Sequence, residues 1–223
     1  MWFRRVSKSL RRRGAVLSAD RALSMVAERW FDFRYGTDTV TEATFKALTI
    51  DSPNEALGVD YSPTRIRPFR RVMSRLVLPS DSAFVDFGSG KGRVLLMAAA
   101  YGFKRITGVE FARELCHIAR QNVERYRGKT GIETDIRIVE ADAVDYEIQD
   151  DDNCFFMNNP FEAAVMKKVV RNIAASLAKR ARRILIVYNN PHWCHAIIVE
   201  QGFLPVLTLD ADDYTVYSNM KDA

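Results

Sequence analysis

From residue 83 onward the chain alternates short apolar runs with stretches of helical composition, and this alternation restricts its fold more than any other feature. The runs are Ala83–Phe87, Arg105–Glu110, Asp135–Glu140, Cys154–Met157, Arg183–Tyr188, Leu204–Leu209 and Tyr214–Tyr217. Helical patterning fills Gly92–Tyr101, Arg113–Arg127, Glu162–Ala178 and His195–Gln201. Apolar strands separated by helices belong to a parallel sheet covered on both faces. The last two runs have only Asp210–Asp213 between them, so at least one antiparallel edge is expected. The predicted class is α/β, with a doubly wound, mostly parallel sheet in residues 81–223.

Residues 1–80 read as a basic, helical N-terminal extension. They hold 15 Lys and Arg against eight acids, whereas residues 81–223 hold 18 against 20, so the net charge of +5 belongs to the extension. Arg4, Arg5, Lys8, Arg11, Arg12 and Arg13 all precede the first acid, Asp20. Such a run can contact the phosphates of nucleic acid or anionic lipid, or stay a solvated arm. Leu17, Ala22, Val26, Trp30 and Phe33 at helical spacing predict a helix over 15–33. Tyr61-Ser62-Pro63-Thr64 leads into a helix over Ile66–Leu76, with Pro68 in its first turn. Elements before the first strand often cross the carboxyl ends of the strands. The loops carrying Tyr35, Thr37 and Asp38 and carrying Tyr61 and Thr64 are therefore expected to form a lid over the ligand site.

No apolar run reaches the ~20 residues of a membrane span. No apolar stretch of secretory type follows the basic start. Cys116, Cys154 and Cys194 are far apart, odd in number and set among apolar residues, which predicts buried free thiols and a cytoplasmic location.

Val85-Asp86-Phe87-Gly88-Ser89-Gly90-Lys91-Gly92 ends the first strand and opens a helix. Ligands of open parallel sheets bind there, where strand order reverses. Gly88, Gly90 and Gly92, with Ser89 between, let the backbone come close to a ligand. Glu110 ends the second strand and can accept from ribose hydroxyls. NAD and S-adenosylmethionine share the adenosine, so the acid alone does not choose between them. A dinucleotide loop wants its third glycine where Arg93 stands. Asp86 would repel a pyrophosphate but favour a sulfonium or an amino group. After the third strand, Asp142 can accept from the adenine amine, with the Ala143 N–H reaching the ring; Asp142 can equally cap the turn that follows.

Asn158-Asn159-Pro160-Phe161 ends the fourth strand, beside the first in a doubly wound order. An amide oxygen and a carbonyl held by Pro160 can fix an amine's lone pair in line with a methyl group, so these four residues are the candidate catalytic set. Phe161 can stack on a planar substrate or flank an alkylammonium chain. A strand-terminating Asn-Pro turn is the structural alternative.

On these residues the chain resembles the class I S-adenosylmethionine-dependent methyltransferases. The resemblance runs from about Phe31 to Tyr217 and rests on the Asp32–Thr39 segment, Tyr61–Thr64, Val85–Arg93, Gly108–Phe111 and Asn159–Phe161. It is nearest a bacterial group with an Asn-Pro-Phe fourth motif. Non-SET histone-lysine methyltransferases and lysine methyltransferases of mitochondrial ATP synthase carry a similar Gly-Ser-Gly-x-Gly loop. The resemblance implies a seven-stranded sheet in order 3-2-1-4-5-7-6 with the last strand antiparallel. It also implies cofactor contacts at Asp86, Gly88, Gly90, Glu110 and Asp142. The Asn-Pro-Pro-Tyr motif of adenine and glutamine methyltransferases is absent, with Asn159 in place of its first proline and Phe161 in place of its tyrosine. An amine on a protein side chain is the favoured acceptor, ahead of nucleic acid or a small molecule. The alternatives are a nicotinamide-dependent oxidoreductase and a non-catalytic adenosine-binding module.

The remaining constellations carry less. His192-Trp193-Cys194-His195 lacks further ligands nearby in sequence, so no metal site is expected. Asp150-Asp151-Asp152 reads as a solvated loop. No Gly-x-Ser-x-Gly or Gly-Lys-Ser/Thr motif supports a hydrolase or a nucleotide triphosphatase.

Overall fold

The structure is a computed structural model; it describes residues 23–41, 48–50, 52–54, 62–79, 81–191 and 193–220. Seven strands form one sheet: β1 (Ala83–Phe87), β2 (Arg105–Glu110), β3 (Asp135–Glu140), β4 (Asp152–Asn158), β5 (Leu185–Asn189), β6 (Leu204–Leu209) and β7 (Tyr214–Ser218). Their order is β3-β2-β1-β4-β5-β7-β6, as the resemblance implied. All pairings are parallel except those of β7 with β5 and β6.

Strand period decides which side chains meet which helices, because successive residues point to opposite faces. Phe84 and Phe156 enter one core cluster, with Phe31, Phe69, Leu95 and Val123. Val85, Phe87, Phe155 and Met157 enter the other, with Val169, Ile198 and Tyr217. The first face is covered by α1 (residues 23–35), α2 (Ile66–Met73), α3 (Arg93–Ala98) and α4 (Arg113–Thr130). The second is covered by α5 (Ala163–Lys179) and α6 (His195–Glu200). Among the described residues no helix is long and apolar enough to cross a membrane.

Several expectations need correction. Helix α2 stops at Met73, short of Leu76, and α4 runs on to Thr130, where Gly131 closes it at φ 68°. The aspartate run is not a solvated loop: Asp152 opens β4 fully buried. It accepts Arg105 Nη2 at 2.7 Å, Tyr146 Oη at 3.0 Å and the Gln149 N–H at 2.9 Å. Asp151 pairs with Lys104 and Arg105, and the Arg105 guanidinium holds its carboxyl well below the usual range. The expected first helix is present over the described residues 23–35, and its apolar stripe faces outward. Val26, Trp30 and Phe33 are exposed, and the inner face carries Ser24, Glu28 and Phe31. The inner face is polar because it meets a buried guanidinium, that of Arg93, as well as the core. Leu17 and Ala22 lie outside the described residues.

Three buried free cysteines agree with the sequence reading. Burial pushes the thiols of Cys116 and Cys154 up to about 12 and that of Cys194 up to about 11.

The packing of α3 on β2 depends on one missing side chain. A Cβ at Gly108 would lie 2.6 Å from Leu95 Cδ1 and 2.7 Å from Ser89 Oγ. Gly108→Ala is expected to destabilise the protein by about 1–3 kcal/mol through overpacking. A urea midpoint unchanged from wild type would contradict this contact.

Candidate active site

The carboxyl ends of β1, β2, β4 and β5 open onto one cavity of about 290 Å³. It is lined by Asp86, Gly88 and Ser89 from the glycine loop, by Glu110, Asp142 and Ala143, and by Asn158–Phe161. The ligand and acceptor residues expected from sequence therefore converge, with some exceptions. Gly90 and Gly92 shape the loop without lining the cavity, and Thr64 lines it while Tyr61 lies outside the described residues.

Glu110 organises this end of the sheet. Its carboxylate accepts backbone N–H groups from Gly90 at 2.8 Å and from Phe111 and Ala112 at 3.0 Å each. One carboxylate thus ties the glycine loop to the start of α4. Of about four lone-pair directions, three are taken. That leaves one direction unused by the backbone N–H groups around it. Burial nonetheless raises the Glu110 pKa, against the lowering effect of the three N–H groups.

Gly88 (φ 74°) lies under the fourth-strand motif, where a Cβ would come 2.7 Å from Pro160 Cβ. The loop and the Asn-Asn-Pro corner are therefore in contact, and no larger residue fits between them. Asn158 lines the cavity and sends its amide N–H to the Ser62 carbonyl at 3.5 Å. Asn159 sits at φ 48°, and its side-chain oxygen accepts Trp193 Nε1 at 2.8 Å, so that oxygen is engaged outside the cavity. Phe161 is buried, packed among Val165 and Met166.

Asp142 lines the cavity and makes the turn cap that was one of its two readings. Oδ1 caps the following turn at the Val144 N–H (3.0 Å). Oδ2 accepts Ser52 Oγ at 2.5 Å and Asn54 Nδ2 at 2.8 Å, drawing the 52–54 turn over this end of the cavity.

The two expected lid loops divide. Ser62 and Thr64 line the cavity, but Tyr35, Thr37 and Asp38 do not. Tyr35 packs on Phe31 and Tyr126. Asp32 accepts Thr37 Oγ1, Thr39 Oγ1 and two backbone N–H groups, which folds its turn on itself. Asp38 instead braces the glycine loop from behind through Lys91 Nζ at 3.0 Å; burial raises its carboxyl pKa, but the hydrogen bonds and charge of Lys91 together with the Thr41 hydrogen bonds leave it below the usual range.

Sequence reasoning missed Arg93, Asn189 and Asn190. Arg93 is 2% exposed and lines the cavity. Its Nε donates to Thr39 Oγ1 (2.8 Å) and its Nη1 to the Thr64 carbonyl (3.3 Å), while its Nη2 has no partner. Asn189 ends β5 in register with Asn158, and Asn190 follows it. The signal for them was present: Asn-Asn-Pro occurs twice, at 158–160 and 189–191, and in each the second asparagine is left-handed, at φ 48° and 60°. Beyond Pro191, His195 Nδ1 meets Tyr217 Oη at 2.9 Å and Cys194 is buried.

The side chains fit an amino-acid-bearing adenosine cofactor. A buried carboxylate (Asp86), a partnerless guanidinium N–H (Arg93) and a partnerless buried hydroxyl (Ser89) line one end of the cavity. That donor and acceptor set matches the ammonium and carboxylate of a zwitterion.

The family described as "Histone methylation protein DOT1" has a model that matches residues 60–188. This span contains the glycine loop, Glu110, Asp142 and the first Asn-Asn-Pro corner. No curated protein matches the chain. Among solved structures it is similar to the mitomycin 7-O-methyltransferase MmcR, at 15% identity over 69% of this chain and 52% of that one, TM-score 0.52. It is similar to the S-adenosylmethionine-dependent methyltransferase SibL in its apo form, at 12% identity over 70% and 55%, TM-score 0.53. A putative S-adenosylmethionine-dependent methyltransferase from Methanococcus maripaludis matches at 16% identity over 71% and 86%, TM-score 0.51. The chain spans about half the length of the first two. These likenesses show the fold.

Asp86 makes the cavity testable by pH. Burial, reinforced by the charge of Glu110, pushes its carboxyl well above the ordinary range. An acid with a raised folded pKa gives its full stability below the unfolded pKa, and that stability is lost as pH rises through the folded value. The ligand-free protein is expected to lose stability from acid towards neutral pH through this group, and Asp86→Asn to flatten that part of the Tm profile. A cation beside Asp86 favours its ionised form. Binding of S-adenosylmethionine is therefore expected to release a proton in wild type and not in Asp86→Asn, read by calorimetry in two buffers of different ionisation enthalpy. Equal release in both proteins would exclude Asp86 from the cation site.

Proposed function

The chain belongs to the Histone methylation protein DOT1 family, among the S-adenosylmethionine-dependent methyltransferases, and on that premise we propose that it methylates an amine nitrogen on a protein side chain. One observation carries the reading: two Asn-Asn-Pro corners stand side by side at the ends of β4 and β5 and line the cavity that holds Asp86 and Glu110. Residues 1–80, on this reading, supply the basic extension and part of the cover, and residues 81–223 supply the methyltransferase domain.

The cofactor, when bound, supplies an electrophilic methyl group on a sulfonium. The chain's own residues bind and orient. Asp86 holds the ammonium; Arg93, Thr64 and Ser89 face the carboxylate. Glu110 takes a ribose hydroxyl, while Asp142 and the Ala143 N–H take the adenine edge. Gly88, Gly90 and Gly92 keep the loop low enough for this approach. The Asn158 side-chain oxygen and the Asn159 carbonyl, fixed by Pro160, accept from the acceptor amine and direct its lone pair. Phe161 closes the wall beside it.

The ionisable side chains among the described lining residues are Asp86, Arg93, Glu110 and Asp142. All four have cofactor assignments, so the reading leaves none as a dedicated base. The amine then arrives uncharged, and positioning accounts for most of the rate. The rate is expected to rise with pH towards the amine's own pKa.

A thermal-shift panel of S-adenosylmethionine, S-adenosylhomocysteine, NAD and NADP, followed by transfer of labelled methyl groups to lysate proteins, tests the assignment. At 100-fold over its dissociation constant a cofactor should stabilise the protein by about 2.7 kcal/mol. A shift with NAD alone would refute the cofactor; label entering only nucleic acid or small molecules would refute the acceptor. Glu110→Ala is expected to weaken cofactor binding by about 1–3 kcal/mol through the lost charge-assisted hydrogen bond and the released loop. Calorimetry giving wild-type affinity in the folded variant would remove Glu110 from the site. Asn158→Ala is expected to lower kcat about 100-fold with little change in cofactor affinity; a change in affinity alone would move Asn158 to the cofactor.

A further inference from the structure

Helix α1 presents its apolar residues to solvent. Leu23, Val26, Trp30 and Phe33 fall on one stripe at spacings of three and four. They are 55, 66, 56 and 87% exposed, and Met25 beside them is 57% exposed. Over 13 helical residues the stripe is about 20 Å long.

The charges are sorted as strictly as the apolar groups. Glu28 and Asp32 turn inward, Glu28 to Arg93 and Asp32 to the turn that follows, and Asp38 beyond them pairs with Lys91. Every exposed residue between 23 and 36 is apolar, arginine or glycine. The exposed arginines are Arg29 and Arg34, and the Arg34 guanidinium lies 5.3 Å from the centroid of the Trp30 ring. In sequence the helix follows the arm whose six basic residues precede its first acid.

The geometry points to α1 as a docking face for an anionic lipid surface, with the basic residues that precede it in sequence adding charge. The apolar stripe can enter the boundary between headgroups and acyl chains while Arg29 and Arg34 stay at the phosphates. Neither signal holds a protein on a membrane by itself; a short apolar insertion plus a polybasic segment does. Charge complementarity selects this partner over others. A nucleic acid would use the arginines and leave Leu23, Val26 and Phe33 without a contact. A second copy pairing through the same stripe would set the arginines of two helices against each other. The face lies outside the cofactor cavity, so this reading stands or falls apart from the methyl-transfer assignment.

The test is co-sedimentation of the full chain with phosphatidylcholine vesicles, with and without phosphatidylglycerol. Binding is expected to the anionic vesicles and to be at least about tenfold weaker to neutral ones. The double variant Trp30→Ser, Phe33→Ser is expected to bind anionic vesicles at least about tenfold more weakly. Its affinity for S-adenosylhomocysteine should remain that of wild type, which shows that it is folded. Added salt should weaken wild-type binding without abolishing it. No binding to anionic vesicles, or equal binding by the double variant, would overturn the proposal. So would a dimer in light scattering that the double variant dissolves, or complete displacement from vesicles by duplex DNA at low concentration.

Discussion

A single buried carboxylate holds the ligand end of this fold together. Glu110 accepts three backbone N–H groups from two segments, and with them it fixes where the glycine loop turns and where α4 begins. Taking a charge out of water is costly unless its hydrogen bonds are replaced. Here the replacement comes from N–H groups that otherwise lack partners at a tight loop and at a helix start. The remaining lone pair faces the cavity, so the group that shapes the loop also has an acceptor to offer a ligand.

The N-terminal segment is attached to that loop through polar contacts as much as apolar ones. Arg93, one residue past the third loop glycine, reaches Thr39, the Thr64 carbonyl and Glu28. Asn122, fully buried on α4, bonds both Asp38 and the Lys91 carbonyl. A buried guanidinium must find acceptors, and the segment before β1 provides them. This explains why α1 turns a polar face inward. It also makes the segment part of the cavity wall at Ser62 and Thr64.

The cavity wall at the ends of β4 and β5 is built from a repeated corner. Parallel pairing of β4 and β5 puts Asn158 opposite Asn189, and the following left-handed asparagines turn both chains out of the sheet at the same level. The Asn159 oxygen, committed to Trp193, serves to hold the corner. Asn158 lines the cavity with its amide N–H on the Ser62 carbonyl.

Sequence alone determined the α/β class, the seven strands to within a few residues and the positions of Asp86, Glu110 and Asp142, because burial in a parallel sheet demands apolar runs and a tight strand-to-helix turn demands glycine. The Asn-Asn-Pro-Phe corner was legible for the same local reason. The facing of α1 was not legible, since periodicity shows that a helix has an apolar stripe and not which neighbour it meets. The engagement of Asp142 by Ser52 and Asn54, the burial of Asp152 and the entry of Arg93 and Asn189 into the cavity were decided only by tertiary structure. Each depends on partners far away in the chain, Asp142 and Asn54 being 88 residues apart, and a side chain's hydrogen-bonding partner across such a distance is fixed by how the helices pack on the sheet.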